Sequence, residues 1–458
     1  MARSKTSLYV GADVGGTNIT TLLVEESGRV IARNRGRTPT RGGRQTTLSV
    51  IVKTVDKLLS QAQVKPRDVT AIGLAVAGIV DSEKGLVVVT PNMHLSGLQI
   101  VKPMQERFGV PVALGNDVDL GTLGEAWLGA ARGARSVVGI FIGTGIGGGI
   151  IYDGRLIRGA RQAAGEIGHI VMMPGGPLCG CGNRGCYEAL ASRTAIERDI
   201  REAIAAGRET IVTELLDGDL SQRIKSGTLK KALKKGDPLV TEIMERASEI
   251  TGYACLSVRH LLDPEVTVLG GGVIEACRQW VMPVVQRVLA ADALPGARKG
   301  GRIVTSVLGD DACALGAVAL GQQHVGRDLG APEAEAHAEY PQVTDTEFGR
   351  VRIAGEVYKN DVYIRADGTI KRRNKRPAKK LYGTSHMIGP KELARACKSD
   401  PDVLIIGTGQ EGTAELTEDG SAFLKDRGIR FKALPTPRAI LEYNRTKGRK
   451  AALIHVTC

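Results

Sequence analysis

The sequence predicts an α/β protein with two similar lobes, followed by a separate small α/β domain. Two short apolar strands run into glycine-rich turns and out into second strands, over residues 7–25 and again over 136–152. Two such units, about a lobe apart, indicate a duplicated plan in which each lobe offers a glycine hairpin to a shared cleft. Polar, Ala, Glu and Pro residues then dominate residues 323–348, which predicts a linker before a further domain over 349–458.

Composition sets the broad class of the protein. The chain has 458 residues, 42% of them hydrophobic and only 3% aromatic, so aliphatic side chains must fill two or three cores. No apolar run approaches the ~20 residues that span a bilayer, and the first apolar segment is short and meets Asp13. We therefore expect neither a membrane span nor a signal peptide, and a cytoplasmic protein. The cysteines outside the cluster described below are scattered and indicate no disulfide framework: Cys255, Cys277, Cys313, Cys397 and Cys458.

The first glycine turn has the sequence Asp13-Val-Gly-Gly-Thr17. Strand, turn and strand form a hairpin, which differs from the strand-to-helix layout of a Rossmann or Walker loop. The backbone N–H groups of Gly15, Gly16 and Thr17 can approach phosphate oxygens with no Cβ in the way. Asp13, at the strand end, is placed to hold Mg2+ through water. A hairpin turn without a ligand is the alternative.

The second glycine turn, GTGIGGG, covers residues 143–149. It follows an apolar strand over 136–142 and repeats the plan of the first turn. Thr144, Gly145 and Gly147 are the expected phosphate contacts. A lone glycine-rich run is weak evidence, but two of them, each preceded by a strand, favour a nucleotide site formed by both lobes.

A short strand over residues 112–114 delivers Asn116 and Asp117. An Asp at a strand end, in a cleft, can take a proton from a hydroxyl group. The alternative is that the Asn-Asp pair caps the helix expected from about Leu120 to Leu128.

One His and three Cys lie within eighteen residues, joined by turn-forming Gly and Asn. Thiolates held close by turns, with one imidazole, match a closed tetrahedral zinc site, which would be structural. Small buried cysteines or a disulfide are the alternatives. The candidate ligands are His169, Cys179, Cys181 and Cys186.

Two carboxylates, Glu166 and Glu188, flank this cluster. A metal that pins the loop would also fix the side chains that the loop carries. Carboxylates and His can accept hydrogen bonds from sugar hydroxyls; solvated surface glutamates are the alternative.

The pattern G-E-x-G-H at 165–169, C-x-C-G-x-x-G-C-x-E at 179–188 and then Ser192 resembles the signature of the ROK family. That family holds bacterial sugar kinases and sugar-responsive repressors, and the resemblance extends over roughly residues 7–322. The turn at 13–17 also resembles the first phosphate loop of the sugar kinase, Hsp70 and actin superfamily. The resemblance implies an actin/hexokinase-like, ribonuclease H-like fold, with one lobe over about 1–118 plus 309–322 and the other over about 119–308.

The resemblance also implies roles for particular residues. Asp117 corresponds to the catalytic base of the family. His169 could serve twice, with one ring nitrogen on zinc and the other toward the sugar. Glycines 271 and 272 follow a strand over 265–269, and we assign them to adenosine because a flat base can lie against a glycine backbone; a plain turn is the alternative. The implied sugar contacts are Gly78, Asn92, Asn116, Asp117, Glu166, His169 and Glu188.

The function that the resemblance implies is phosphorylation of the 6-hydroxyl of a hexose by ATP and Mg2+, with glucose as the first candidate. Residues Ala77-Gly78 and the stretch after Asn92 depart from the family pattern, so an N-acetylhexosamine or fructose kinase stays open. A sugar-sensing repressor is the rival, although few residues precede Gly11 to form a helix-turn-helix and both glycine loops are kept. We expect a homo-oligomer, either dimer or tetramer.

The C-terminal segment carries most of the net charge of +13, because residues 347–458 hold 23 Lys and Arg against 13 Asp and Glu. Its pattern resembles a small domain family of unknown activity that includes relatives of a complex I assembly factor and of an adipogenesis-associated protein. Seven basic residues lie in the run KRRNKRPAKK at 371–380. Such a run can bind nucleic acid or acidic lipid, but it has no aromatic residue for base stacking. We expect a solvated loop and no nucleic-acid partner.

Overall fold

The structure is a computed structural model. It describes residues 6–90, 93–294, 301–327, 329, 340–398, 401–446 and 448–456. The described residues divide into two compact units, one within residues 1–332 and one within residues 333–458. Among these described residues, no helix is both long enough and apolar enough to cross a bilayer.

The first lobe of the first unit is built on a five-stranded sheet of order β3-β2-β1-β4-β8. Strands β1 to β3 are antiparallel, whereas β4 and β8 run parallel to β1. The central strands are almost fully buried, and their near-continuous apolar sequences are typical of strands covered on both faces. The elements of this lobe are β1 (Leu8–Val14), β2 (Asn18–Glu25), β3 (Val30–Arg37), α1 (Gly43–Gln61), β4 (Val69–Val76), β5 (Ile79–Asp81), β6 (Leu86–Val89), β7 (Leu98–Gln99), α2 (Val101–Phe108) and β8 (Val112–Asn116).

The second lobe repeats this plan with a sheet of order β11-β10-β9-β12-β13. Strands β9, β10 and β11 are antiparallel, whereas β12 and β13 run parallel to β9. The remaining elements of the first unit are α3 (Asp117–Trp127), β9 (Val137–Ile142), β10 (Ile146–Tyr152), β11 (Arg155–Leu156), α4 (Tyr187–Ala191), α5 (Arg193–Ala205), α6 (Val212–Leu215), α7 (Ser226–Lys234), α8 (Pro238–Leu262), β12 (Val266–Gly270), α9 (Gly272–Ala290), β13 (Arg302–Thr305) and α10 (Ala312–His324).

Helices α3 and α10 join the two lobes. Helix α10 packs on the first sheet, where a Cβ added to Gly73 of β4 would lie 1.7 Å from the carbonyl oxygen of Ala317. The two helices also approach each other closely, since a Cβ on Gly316 would lie 1.6 Å from the carbonyl oxygen of Leu120. The small residues of the segment 311–322 therefore serve close packing between the lobes.

The second unit has a five-stranded sheet of order β18-β17-β23-β20-β22. Strand β14 lies inside the segment expected to be a linker. Only its first residue, Val343, is buried, so its sequence carries no apolar alternation that would reveal a strand. The elements are β14 (Val343–Glu347), β15 (Arg350–Ile353), β16 (Glu356–Tyr358), β17 (Val362–Ile364), β18 (Ile370–Arg372), α11 (Arg376–Tyr382), β19 (Met387–Ile388), α12 (Pro390–Ala396), β20 (Val403–Thr408), β21 (Glu415–Leu416), α13 (Glu418–Asp426), β22 (Arg430–Leu434), α14 (Thr436–Arg445) and β23 (Lys450–His455).

The basic run at 371–380 lies mostly in regular secondary structure, so the expectation of a loop was wrong, although most of its residues are exposed or half-buried. Its first residues belong to β18, its last form α11, and Arg373 between them is buried. The Arg373 guanidinium lies 3.1 Å from Asp361 Oδ2 and 3.1 Å from Glu392 Oε2, and it donates to the Ser385 carbonyl at 3.0 Å. His455 also contacts the Asp361 carboxylate. Carboxylates from distant parts of the sequence thus draw one arginine of the run into the core.

Candidate functional site

The candidate site begins at the carboxyl edge of the first sheet. Strands β1, β4 and β8 are parallel, so their carboxyl ends meet at one edge. The register places Asp13 beside Ala75 and Val76 beside Asn116, which brings Asp13 and the Asn-Asp pair to the same edge. Burial raises the pKa of Asp13 to about 7, and the charge of Asp117 adds to the shift.

Asn116 is the N-cap of α3. Its Oδ1 accepts hydrogen bonds from the backbone N–H groups of Val118 at 2.8 Å and Asp119 at 3.1 Å. Its Nδ2 donates to the carbonyl oxygen of Gly78 at 2.8 Å. Gly78 has a φ of 132°, and a Cβ there would lie 2.2 Å from the carbonyl oxygen of Val89, so the position requires glycine. Asn116 therefore fixes the 77–78 turn, and its contact with a sugar stays a prediction.

Asp117 is the first residue of α3 and is half-buried. Burial raises the pKa of its carboxyl group above the ordinary value, and the charge of Glu166 adds to this, while hydrogen bonds from the amides of Val118 and Asp117 itself oppose it. The second glycine loop lies against the same turn of helix, because a Cβ on Gly147 would lie 2.7 Å from Val118 Cγ2. Asp117 thus lies at the end of the first sheet, next to the residue of α3 that packs on the second loop.

The first glycine loop is a tight hairpin. The Gly15 N–H donates to the carbonyl oxygen of Asn18 at 3.0 Å, and Thr38 Oγ1 donates to the carbonyl oxygen of Gly15 at 2.6 Å. Gly16 and Thr17, at the tip, are exposed. The backbone of the tip can therefore meet a ligand in the cleft.

The second glycine loop is held by the beginning of α5. The backbone N–H of Arg193 donates to the carbonyl oxygen of Gly143 at 3.0 Å, and its Nη2 donates to Thr144 Oγ1 at 2.7 Å. Thr194 Oγ1 donates to the carbonyl oxygen of Thr144 at 2.7 Å. Sequence reasoning missed Arg193 and Thr194; the available signal was Ser192, which caps α5 directly after the cysteine segment.

Glu188 lies between the second loop and the cysteines. Its Oε2 accepts a hydrogen bond from the Ile146 N–H at 2.8 Å, and Cys179 Sγ lies 3.7 Å from its Oε1. A Cβ on Gly145 would lie 2.3 Å from Oε2. Glycine at 145 therefore gives the carboxylate access to the loop backbone.

The four predicted zinc ligands come together. One donor atom from each of them lies within 4.8 Å of all the others. Cys181 Sγ and Cys186 Sγ are 3.8 Å apart, and Cys179 Sγ is 3.6 Å from His169 Nδ1. A tetrahedron with Zn–S bonds of about 2.3 Å has S–S edges of about 3.8 Å, so the donor set fits Zn2+ in type and spacing.

His169 presents its two ring nitrogens to different partners. Nδ1 faces the cysteines, whereas Nε2 lies 3.9 Å from Glu166 Oε2. Glu166 is exposed, and His169 is half-buried. This arrangement is compatible with the expectation that one ring nitrogen binds zinc while the other faces the sugar.

Gly271 and Gly272 lie at the beginning of α9. Gly271 has a φ of 85°, and a Cβ there would lie 2.6 Å from the carbonyl oxygen of Ile142, at the end of β9. Gly272 is exposed, and Ser226 Oγ, at the start of α7, lies 3.6 Å from the position of its missing Cβ. Asn92, the remaining predicted sugar contact, lies outside the described residues.

Comparison with known proteins identifies both units. Residues 9–324 match the model of the ROK family, and residues 343–455 match a family described as a protein of unknown function, DUF498/DUF598. The glucokinase of Thermotoga maritima is 31% identical over 318 residues, which are 69% of this chain and 98% of that protein. The N-acetylglucosamine repressor of Escherichia coli O6:H1 is 30% identical over 311 residues, 68% of this chain and 74% of the repressor.

A solved structure gives the same relationship. The ROK family glucokinase from Streptomyces griseus, in complex with glucose and AMPPNP, is 30% identical, with a TM-score of 0.58; the match covers 69% of this chain and 100% of that one. These matches confirm the predicted actin/hexokinase-like fold and the separate small α/β domain. The chain belongs to the ROK family, with the fold of that family's sugar kinases in its first unit and a domain of unknown function in its second.

Proposed function

We propose that the first unit is an ATP-dependent kinase that phosphorylates the 6-hydroxyl of a hexose, with glucose as the first candidate. The observation that carries the proposal is the position of Asp117. Its carboxylate lies at the edge that also holds Asp13, and the second glycine loop packs against the same helical turn. The relatives that are glucokinases support the choice of glucose.

Asp117 is the general base in this proposal. A neutral alcohol is a poor nucleophile, and a carboxylate that takes its proton makes the oxygen more reactive. The raised pKa of Asp117 makes it a better proton acceptor than an ordinary carboxylate while it is ionised. Asn116 keeps the base in place, because it caps the helix that begins at Asp117.

The two glycine loops bind the phosphates. Backbone N–H groups at 15–17 and at 144–147 approach phosphate oxygens from both lobes and offset the charge that develops during transfer. Asp13 would hold Mg2+, which supplies further positive charge to the phosphates when bound. Gly271 and Gly272 form the wall for adenosine. Closure of the lobes on the sugar would exclude water and limit ATP hydrolysis.

The sugar lies between the 77–78 turn and the cysteine segment. The polar groups that we assign to its hydroxyls come from both sides of the cleft. Zn2+ is structural in this account: its ligands would hold the segment closed and thereby orient His169 and Glu188. The assigned sugar contacts are Gly78, Asn92, Asn116, Glu166, His169 and Glu188.

A second candidate is a sugar sensor without catalysis. The relationship to an N-acetylglucosamine repressor favours this alternative. The third candidate is a kinase that acts on another sugar: N-acetylglucosamine, N-acetylmannosamine or fructose.

The test is release of ADP from ATP and Mg2+ over a panel of glucose, fructose, N-acetylglucosamine and N-acetylmannosamine. We expect glucose to give the highest kcat/KM and to yield the 6-phosphate, identified by phosphorus NMR. 6-Deoxyglucose is the matched control and should release no ADP, because it lacks the hydroxyl group that accepts phosphate. Binding of a sugar without turnover of any sugar would favour the sensor.

A further inference from the structure

Arg193 contacts two separate backbone segments at once. Its Nη2 donates to Thr144 Oγ1 at 2.7 Å, while its Nη1 donates to the carbonyl oxygen of Ile224 at 3.3 Å. Nη1 also lies 3.3 Å from Glu197 Oε2, one turn further along α5. The side chain is 12% exposed. One guanidinium group thus links the second glycine loop to the segment that leads into α7.

Glu197 completes the hold on that segment. Its Oε1 accepts a hydrogen bond from the Ile224 N–H at 3.2 Å, and Arg201 Nη2 lies 2.7 Å from the same oxygen. Ile224 is fully buried. Both polar backbone groups of Ile224 are therefore bound by the Arg193–Glu197 pair, so the segment has little freedom to shift relative to α5.

The held segment leads to the proposed adenosine wall. Two residues after Ile224, Ser226 begins α7. Its Oγ lies 3.6 Å from the position that a Cβ would occupy if Gly272 carried a side chain. Helices α7 and α9 also pack against each other, so the connection runs from Thr144 through Arg193 and Ile224 to α7 and then to α9. It joins the segment assigned to phosphate with the segment assigned to adenosine.

We propose that Arg193 is a positioning residue that fixes the spacing between the phosphate loop and the adenosine wall. The inference rests on the proposed function, which places the two ends of ATP at these two segments. A guanidinium group suits this role because its planar fork directs several N–H groups at fixed angles, which a Lys ammonium cannot do.

A fixed spacing has a measurable consequence. ATP behaves as a ligand with two linked ends, and binding of one end raises the effective concentration of the other only if the two subsites lie at the right separation. Loss of the spacing should therefore weaken ATP binding while each half of the ligand binds as before.

The test uses titration calorimetry on the full-length protein with ATP, adenosine and tripolyphosphate as separate ligands. Arg193→Met keeps the aliphatic stem and removes the fork. We expect its affinity for ATP to fall about tenfold or more, with affinities for adenosine and tripolyphosphate within about twofold of wild type. Arg193→Lys should recover only part of the loss. Sugar affinity, measured in parallel, should not change and reports that the variants fold.

Arg208→Met is the control, because Arg208 pairs at 2.8 Å with exposed Glu242 and its variant leaves the contacts of Arg193 in place. Its ATP affinity should match wild type. Unchanged ATP affinity in Arg193→Met would overturn the inference. An equal loss for tripolyphosphate would also overturn it, since Arg193 would then serve the phosphates directly. Failure of the wild type to bind ATP would instead refute the proposed function, before any variant is compared.

Discussion

The carboxylate of Glu188 accepts a hydrogen bond from the backbone N–H of Ile146 at 2.8 Å, and Cys179 Sγ lies 3.7 Å from its other oxygen. One side chain thus joins the second glycine loop to the cysteine cluster. Glu188 therefore connects the loop that we propose binds phosphate to the cluster that we propose binds zinc. In the sequence, 42 residues separate Glu188 from Ile146.

Glu188→Ala should raise the KM for ATP as well as the KM for sugar. The buried Ile146 N–H would lose its acceptor, which costs about 1–3 kcal/mol and corresponds to a rise of roughly 5- to 150-fold in KM for ATP. Glu188→Gln keeps an oxygen that can accept this hydrogen bond, so its KM for ATP should stay within about threefold of wild type. Steady-state kinetics with each substrate varied in turn measures both. If Glu188→Ala changes only the KM for sugar, the hydrogen bond from Ile146 to Glu188 does not contribute to ATP binding.

The cysteine cluster should carry one zinc ion per chain. Cys181→Ser removes one of four ligands and should abolish stoichiometric zinc, measured by plasma mass spectrometry, and lower the thermal unfolding temperature. Cys255→Ala is the control, because Cys255 is buried in the core of the second lobe apart from the cluster and its variant should retain zinc. A wild-type protein purified without chelator and free of zinc would contradict the assignment.

Arg373 should be essential for the stability of the second unit. In Arg373→Met the buried carboxylates of Asp361 and Glu392 lose a partner, and breaking such a buried pair costs about 3–5 kcal/mol. Its exposed neighbour offers a control, since Arg372→Met should change stability by less than about 0.5 kcal/mol. Hydrogen exchange of the amides of β23 in the full-length chain reports the local free energy of unfolding. Equal protection in the two variants would show that the buried network contributes no net stability.

The same network predicts how the stability of the second unit depends on pH. Burial acts to raise the pKa of Asp361, but hydrogen bonds from His455 and the Val456 amide outweigh it and hold the pKa well below its usual range. Since the folded pKa is the lower one, Asp361 contributes stability above its unfolded pKa of about 3.9 and loses it as pH falls toward the folded pKa.

The expected result is that the urea midpoint for loss of protection in β23 falls more steeply below about pH 4 in wild type than in Asp361→Asn, which lacks the titrating group. Parallel curves for the two proteins would show that the Asp361 carboxylate does not gain its stability from these contacts.

Local patterns made part of this architecture predictable. Asp13 and the glycine turns at 13–17 and 143–149 can be recognised from a few neighbouring residues, because a hairpin needs its glycines next to its strands. Contacts between distant segments carry no such signal. Arg193 meets Thr144 from 49 residues away, and Arg373 meets His455 from 82 residues away. Ser192 beside Arg193 signals the beginning of a helix, but nothing in the sequence around either arginine indicates the distant partner that it binds.

Helix α9 illustrates a different difficulty. Residues 270–272 are three glycines; sequence reasoning assigned Gly271 and Gly272 to adenosine, with a plain turn as the alternative, and predicted no helix after them. In the structure the turn is a single residue, Gly271, with a φ of 85°, and α9 begins directly after it at Gly272. Glycine is a poor helix former, so the first position of α9 gives no sign of the helix.

The most direct test of the central claim compares Asp117→Asn with wild type in ADP release and in glucose binding. The account predicts that kcat falls by about two to four orders of magnitude, because the general base is lost, while the Kd for glucose stays within about tenfold. Asp119→Asn, two residues along the same helix, is the matched control. Burial raises the pKa of Asp119 to about 7, but this carboxyl group has no part in the proposed reaction, so turnover should persist. Turnover by Asp117→Asn at the wild-type rate would contradict the assignment of Asp117 as the base.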